Sequence, residues 1–143
     1  MMLPDVNVLI YAHREESPEH DAHARWLVSL ATGPETFALS ELVLAGFVRI
    51  VTNARVFPQP TPLPTALAFA GSLLARPACV PLRPGPRHWA IFDRLCRAVK
   101  ATAKLNADAY HAALAMEHGC EWITTDVDFA RFPGLRWRHP LRP

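Results

Sequence analysis

The sequence predicts an α/β sandwich on a mainly parallel sheet, because short apolar strands alternate with helical segments along the whole chain. With 143 residues, 50% of them hydrophobic, the chain is long enough for one domain with a buried core. The longest apolar run, residues 42–48, falls far short of the ~20 residues that cross a bilayer. We therefore expect a single domain over residues 1–143 that does not associate with a membrane.

The N-terminal part is predicted to begin with a strand that ends at Asp5, followed by a helix over about residues 7–15. Pro4 is an awkward strand residue, because it cannot donate a hydrogen bond to a neighbouring strand. A second helix is predicted over residues 19–31 and ends at the Gly-Pro pair 33–34. Its apolar face consists of Ala22, Trp26, Leu27, Leu30 and Ala31.

The middle of the chain is predicted to contain a strand over residues 37–39 and a helix that Ser40 caps and that runs through Ile50. A proline-rich loop over residues 53–64 follows, because its four prolines exclude regular structure. A helix over about residues 65–75 and a strand over residues 79–82 complete this part.

The clearest predicted helix covers residues 86–104, where apolar residues recur every three or four positions. Its apolar seam is formed by Trp89, Phe92, Cys96, Val99 and Ala103. A separate basic stripe is formed by Arg87, Arg94, Arg97, Lys100 and Lys104. This stripe is either a solvated face of the helix or a surface that follows an RNA backbone. Asn106 is predicted to cap the next helix, which ends at Gly119, and strands follow over residues 121–125 and 136–139.

The net charge and the cysteine content indicate which cellular compartment and which binding partners to expect. The net charge of +2 is too small to indicate a nucleic-acid binder by itself. Three cysteines without a Cys-x-x-Cys pair form neither a disulfide framework nor a zinc ribbon. No secretory signal is visible, since Asp5 and Asn7 interrupt the first apolar stretch. These features predict a cytoplasmic protein.

Five carboxylates lie where predicted strands end or helices begin: Asp5, Glu41, Asp108, Asp126 and Asp128. In parallel sheets, ligands bind outside the carboxyl ends of the strands, so these side chains are expected to share one cleft. Carboxylates packed together repel one another, and a divalent cation relieves that repulsion; all-oxygen ligands favour Mg²⁺ or Mn²⁺ over zinc. Taken singly, Glu41 and Asp108 also fit as first-turn acids that interact with a helix dipole.

Four segments carry a recognisable pattern in this order: Leu-Pro-Asp-Val-Asn-Val-Leu-Ile-Tyr-Ala at 3–12, Ser-Glu-Leu-Val at 40–43, Asn-Ala-Asp-Ala-Tyr-His-Ala-Ala-Leu-Ala at 106–115 and Glu-His-Gly-Cys-Glu-Trp-Ile-Thr-Thr-Asp-Val-Asp-Phe at 117–129. Together they resemble the PIN-domain family, and in particular its VapC-type toxin ribonucleases. The resemblance extends over nearly the whole chain, except for the proline-rich region 53–85, and implies a three-layer sandwich with about five strands and helices on both faces.

The resemblance also implies the roles of the site residues. Asp5, Glu41, Asp108 and Asp126 match the catalytic acids of the family, and the metal ligands would be Asp5, Asp108, Asp126 and Asp128. Asn7 and Thr125 match positions that support the site by hydrogen bonding. The implied function is that of an Mg²⁺-dependent endoribonuclease, with Mn²⁺ as a substitute, that cleaves RNA, forms a homodimer and is neutralised by a small antitoxin protein. The antitoxin surface is expected on the N-terminal helices, near Trp26 and Leu27.

Several alternatives compete with this hypothesis. An RNA-processing nuclease that is not a toxin, and a PIN-like module that binds RNA or protein without cleavage, have the same pattern of residues. A phosphatase of the haloacid dehalogenase type is suggested by Asp126 and Asp128, but the position near the C-terminus and the following Phe129 argue against it. His20 and His23 are expected on a solvated helix face, and His111 is expected to be a packing histidine.

Overall fold

A five-stranded sheet forms the centre of the computed structural model, which describes residues 1–142. The strands are β1 (Met2–Pro4), β2 (Phe37–Ser40), β3 (Cys79–Leu82), β4 (Glu121–Ile123) and β5 (Trp137–Arg138). All four neighbouring pairs are parallel, and the order across the sheet is β3-β2-β1-β4-β5. The predicted α/β class and the parallel sheet are therefore confirmed.

The helices within residues 1–142 connect these strands. They are α1 (Val6–His13), α2 (His20–Thr32), α3 (Glu41–Val51), α4 (Leu63–Leu74), α5 (His88–Val99) and α6 (Lys104–Glu117), and a 3₁₀ helix covers Val127–Arg131. The chain moves outward from β1 to β3 and then returns past β1 to β4. Because such crossovers are right-handed, α1 to α4 cover one face of the sheet and α5 and α6 the other. No helix in residues 1–142 has the length and apolar character required to cross a bilayer.

Pro4 limits the pairing of β1 on one side only. Three residues of β1 pair with β4, whereas a single pair, Met2 with Phe37, joins β1 to β2. The amide of Asp5 donates to the carbonyl of Ile123 at 2.8 Å, so the peptide nitrogen of Pro4 faces β2 instead. Since proline has no N–H, the ladder between β1 and β2 ends before the carboxyl edge of the sheet.

The region between α5 and α6 differs from the prediction. The helix expected to reach Lys104 ends at Val99, because Lys100 adopts the left-handed conformation (φ 51°, ψ 51°); Ala103 also has a positive φ (51°), but with ψ −123°. Lys104 therefore begins α6, and Asn106, expected to be the cap, lies inside the first turn. Helix α6 ends at Glu117, and Gly119 takes the positive φ (65°) that the chain needs to turn toward β4.

The predicted apolar seam of α5 is confirmed in part, because Phe92, Cys96 and Val99 are partly buried against the core. The buried residues of α5 are His88 and Leu95, whereas Trp89 is 69% exposed. The helix packs chiefly against α6, and the contact of His88 with Tyr110 turns Trp89 toward solvent. Ala103 lies outside the helix altogether.

His23 was expected on a solvated face, and that expectation is wrong. Its side chain is 1% exposed, because α2 packs this face against α1, where the imidazole meets the Tyr11 ring at 5.3 Å. Nδ1 of His23 lies 3.0 Å from the carbonyl of Glu19. The residue therefore belongs to the helix interface and does not form a ligand pair with His20.

Candidate functional site

Three aspartates from distant parts of the chain converge at the carboxyl edge of the sheet. Asp5 directly follows β1, Asp126 lies three residues beyond β4, and Asp108 lies in the second turn of α6. Asp5 is close enough to the other two for their charges to affect its ionisation. These strands are neighbours at the point where the strand order reverses, which is where open α/β sheets bind their ligands.

Asp5 is the most enclosed of these acids, with 5% of its surface exposed. Its Oδ1 accepts from the amide of Val6 at 2.6 Å and thereby caps α1. Its Oδ2 accepts from Nδ2 of Asn7 at 3.0 Å and from Oγ1 of Thr124 at 2.6 Å. Burial raises the pKa of Asp5 to about 6 despite these hydrogen bonds, and the negative charges of Asp108 and Asp126 add to the rise.

Thr124 organises the hydrogen bonds around Asp5. Its hydroxyl is fully buried, donates to Asp5, and accepts from Nδ2 of Asn7 and from the amide of Asp126, both at 3.1 Å. Thr125 takes part only through its amide, which donates to Oδ1 of Asn7 at 3.3 Å. The supporting side chain is therefore Thr124 rather than Thr125. The sequence does not indicate which of these two adjacent threonines supports Asp5 with its side chain, because the two differ only in their burial in the structure.

Lys104 links the other two aspartates. Its Nζ lies 3.0 Å from Oδ2 of Asp108 and 2.7 Å from Oδ2 of Asp126. Burial raises the pKa of Asp108, although Lys104 opposes the rise. Partial burial also favours a higher pKa for Asp126, but the hydrogen bonds from Lys104 and from the amide of Asp128 outweigh it and hold that pKa below its usual range.

Glu41 and Asp128 lie at the rim, and their side chains are engaged elsewhere. The carboxylate of Glu41 forms a two-pronged ion pair with Arg83, at 2.9 and 2.8 Å, and makes no contact with the three aspartates. Asp128 is half exposed and lies 3.9 Å from Nε of Arg131, although its charge reaches Asp108. The structure thus brings three of the five predicted acids together and leaves two around them.

The loop that carries Arg83 is anchored by Glu117, a residue that the sequence did not single out. Glu117 is 7% exposed, and its carboxylate accepts from the amides of Gly85 at 2.8 Å and Arg87 at 2.9 Å. Burial favours a higher pKa for Glu117, but these two amides outweigh it, and the pKa of Glu117 is lowered. A glutamate near the end of a helix is ordinary in sequence, so only its burial reveals this role.

The predicted basic stripe is not a uniform phosphate-binding surface. The Arg87 guanidinium donates to the carbonyl of Glu117 at 2.7 Å, and Arg97 is paired with Asp93 at 2.8 Å. Lys104 belongs to the aspartate cluster instead. Within residues 1–142, Arg94 and Lys100 are exposed and have no hydrogen-bond or ion-pair partner, so they remain the stripe's free charges.

His111 is a packing residue in the structure. Its imidazole stacks on Trp122 with ring centroids 5.5 Å apart, and burial lowers the pKa of His111 to about 4. The ring is therefore neutral at physiological pH. Its Nδ1 is buried without a hydrogen-bond partner in residues 1–142.

The three aspartates have the donor chemistry that Mg²⁺ and Mn²⁺ prefer, since all their ligand atoms are oxygens. Within residues 1–142 no three acidic, histidine or cysteine side chains are already close enough to form a metal centre. The Lys104 ammonium instead supplies positive charge between Asp108 and Asp126. The residues therefore fit a divalent cation in chemistry, provided that the carboxylates close around it.

A family model described as PIN domain matches residues 2–135. The chain belongs to the PIN-domain family. This PIN domain is 48% identical to a VapC ribonuclease of Mycobacterium bovis, over 99% of this chain and 96% of that protein. It is also 40% identical to ribonuclease VapC25 of Mycobacterium tuberculosis, over 98% of this chain and 99% of that protein. The expected resemblance to the PIN and VapC proteins is thus confirmed over nearly the full length.

Solved structures support the fold of this PIN domain. A structure of VapBC2 from Rickettsia felis bound to a promoter DNA fragment aligns with a TM-score of 0.71 at 19% identity, over 96% of this chain and 97% of that chain. At that identity the likeness concerns the fold alone. The PIN-like arrangement of a parallel sheet between helices, expected from the sequence, is confirmed.

Proposed function

We propose that this PIN domain is a metal-dependent endoribonuclease that acts as the toxin of a toxin–antitoxin pair. The observation that carries the proposal is the convergence of Asp5, Asp108 and Asp126 at the point where the strand order reverses. The chain is also 48% identical to a protein named as a VapC ribonuclease. The proposed substrate is RNA, and the proposed form is a homodimer in the cytoplasm.

In this proposal Asp5, Asp108 and Asp126 hold Mg²⁺, with Asp128 at the rim, and Mn²⁺ substitutes for it. These residues would hold an ion whose chemistry there would be to lower the pKa of a water molecule and to stabilise charge on a scissile phosphate. Thr124 and Asn7 fix Oδ2 of Asp5, so this carboxylate keeps one orientation. Glu41, which pairs with Arg83 in this structure, is the fourth proposed catalytic acid.

Metal binding is expected to raise the melting temperature. A ligand that binds only the folded state stabilises it by mass action, and a concentration of ten times Kd gives about 1.4 kcal/mol, or about 5 °C for a domain of this size. Thermal unfolding with and without Mn²⁺ measures the shift. The double variant Asp5→Asn/Asp126→Asn should lose most of it.

The matched control for that experiment is Asp21→Asn/Glu35→Gln, which removes two exposed acids outside the cluster. It should retain the full shift. The proposed metal site would be contradicted if millimolar Mn²⁺ left the melting temperature of the wild type unchanged. It would also be contradicted if Mn²⁺ raised the melting temperature of the double variant as much as that of the wild type.

The surface proposed for the antitoxin lies between α3 and α4. This groove has a volume of about 510 Å³, and Glu41 is one of its lining residues. On α4, Leu67 and Leu74 line it, and they are 53% and 38% exposed. On the N-terminal helices, which are expected to provide this surface, Leu27 is only 5% exposed, whereas Trp26 is partly exposed and lines a smaller cavity of about 230 Å³. A partner helix with apolar residues at helical spacing fits such a groove.

Expression of the chain alone is expected to arrest bacterial growth, and co-expression of the small protein encoded beside it should restore growth. Leu67→Asp should keep the arrest but lose the rescue, because a carboxylate in the groove opposes apolar docking. Val56→Asp makes the same change at another exposed residue outside the groove and should leave both effects intact. Growth curves and colony counts measure both.

Two outcomes would redirect this proposal. Normal growth with abundant RNA-cleaving protein would identify a processing nuclease rather than a toxin. Normal growth with a soluble protein that binds RNA but does not cleave it would favour a non-catalytic module.

A further inference from the structure

Lys104 holds an unusual position for a lysine of a proposed nuclease. Its single ammonium hydrogen-bonds to one oxygen of Asp108 and one of Asp126, which are two of the proposed metal ligands. The contact with Asp108 is set by the helix, since residues four positions apart lie on one face. The contact with Asp126 joins α6 to the segment after β4.

The backbone around Lys104 explains how the side chain reaches the cluster. Lys100 and Ala103 both have a positive φ (51°), so the chain turns sharply and α6 starts at Lys104 itself. The side chain therefore leaves the first residue of the helix next to the carboxyl edge of the sheet. It is 66% exposed, and the ammonium thus sits at the mouth of the cluster on a flexible stem.

An ammonium in this position and a divalent cation compete for the same oxygens. Asp108 and Asp126 direct their Oδ2 atoms at Nζ, and a metal bound to these atoms would repel the ammonium. The displaced ammonium remains tethered at the rim and keeps its charge. There it would lie close to a phosphate held at the same site.

We propose that Lys104 is an exchangeable counter-cation, which leaves Asp108 and Asp126 when a divalent ion binds and then contacts an RNA phosphate. This inference rests on the proposed nuclease function and deepens it. It predicts that the loss of one ammonium changes metal affinity and RNA affinity in opposite directions. A purely structural role would change neither in this way.

The variant that tests the inference is Lys104→Met, which keeps the length and apolar part of the side chain. The matched control is Lys100→Met, because Lys100 is the chain's other lysine, is exposed, and has no partner within residues 1–142. Circular dichroism first establishes that each variant is folded. Mn²⁺ affinity is then measured without RNA, from the electron paramagnetic resonance signal of free Mn²⁺.

Lys104→Met is expected to bind Mn²⁺ about ten-fold more tightly than the wild type, the scale of removing one solvent-screened competing charge. Its affinity for a single-stranded RNA oligonucleotide, measured in Ca²⁺ to prevent cleavage, should fall. The slope of log affinity against log salt should decrease by about 0.7, the value for one lost phosphate contact. Lys100→Met should leave Mn²⁺ affinity unchanged.

Unchanged or weaker Mn²⁺ binding by Lys104→Met, beside normal binding by the wild type, would overturn the exchange while the proposed metal site stands. Tighter Mn²⁺ binding with unchanged RNA affinity and salt slope would overturn the phosphate contact. If neither the wild type nor Lys104→Met binds Mn²⁺, the proposed metal-dependent function itself fails, together with the inference that rests on it.

Discussion

Replacing Asp5 with asparagine is expected to reduce RNA cleavage by at least about a hundred-fold, the scale of losing one charge-stabilising group at a reacting centre. Asp5 is the acid that the fold fixes most firmly, with hydrogen bonds from Val6, Asn7 and Thr124. Asparagine keeps the size of the side chain but removes the charge that a divalent ion requires. Initial rates on a labelled RNA, with Mg²⁺ and with EDTA, measure the effect.

Asp108→Asn and Asp126→Asn should have effects of similar size, because the three acids act as one site. Glu35→Gln provides the control, since it neutralises an exposed acid that precedes β2 at the opposite edge of the sheet. Undiminished Mg²⁺-dependent cleavage by Asp5→Asn would exclude this cluster as the active site.

Lowering the pH is expected to stabilise the folded, metal-free protein, because Asp5 binds a proton more readily in the folded state than in the unfolded state. Its folded pKa of about 6 lies above the ordinary value of 3.8, so the folded state binds more protons than the unfolded state between these pH values. Stability from this group is therefore present below about pH 4 and is lost as the pH rises through 6. The shift corresponds to about 3 kcal/mol of unfolding free energy.

Denaturant unfolding of the wild type and Asp5→Asn in EDTA, at intervals from pH 4 to 7, measures this contribution as a difference. Between pH 4 and pH 7 the stability of Asp5→Asn relative to the wild type should rise by about 2 kcal/mol, which is most of the full shift. The slope is more informative than the absolute value, because the new amide would also face the donor Nδ2 of Asn7. Parallel pH profiles for the two proteins would show that Asp5 ionises normally.

The alternation of strands and helices could be predicted from the sequence because each element carries its own local signal. Ser40 shows this well: it caps α3 as predicted, its Oγ accepting from the amide of Val43 at 3.4 Å. The gathering of Asp5, Asp108 and Asp126 could also be predicted, because a parallel sheet brings the residues that follow adjacent strands to one edge.

The sequence does not predict those features that are decided by contacts between particular pairs of side chains. Lys104 fits a helical stripe of basic residues, but the left-handed Lys100 ends that helix, and the turn through Ala103 (φ 51°) brings Lys104 to two aspartates. Glu41 follows its strand as expected, yet Arg83, 42 residues away, takes its carboxylate. Such partners depend on side-chain positions that neither propensity nor spacing specifies.

The residues that can replace Gly85 depend on the side chain at position 117. A Cβ at Gly85 would lie 2.6 Å from Oε1 of Glu117, and this carboxylate cannot yield without abandoning the amides of Gly85 and Arg87. Any side chain at position 85 would therefore loosen the loop that holds Arg83 against Glu41. A mutation remote from the aspartates would thus alter the charge at the rim of the site, and an Ala at position 85 becomes tolerable only when residue 117 shortens with it.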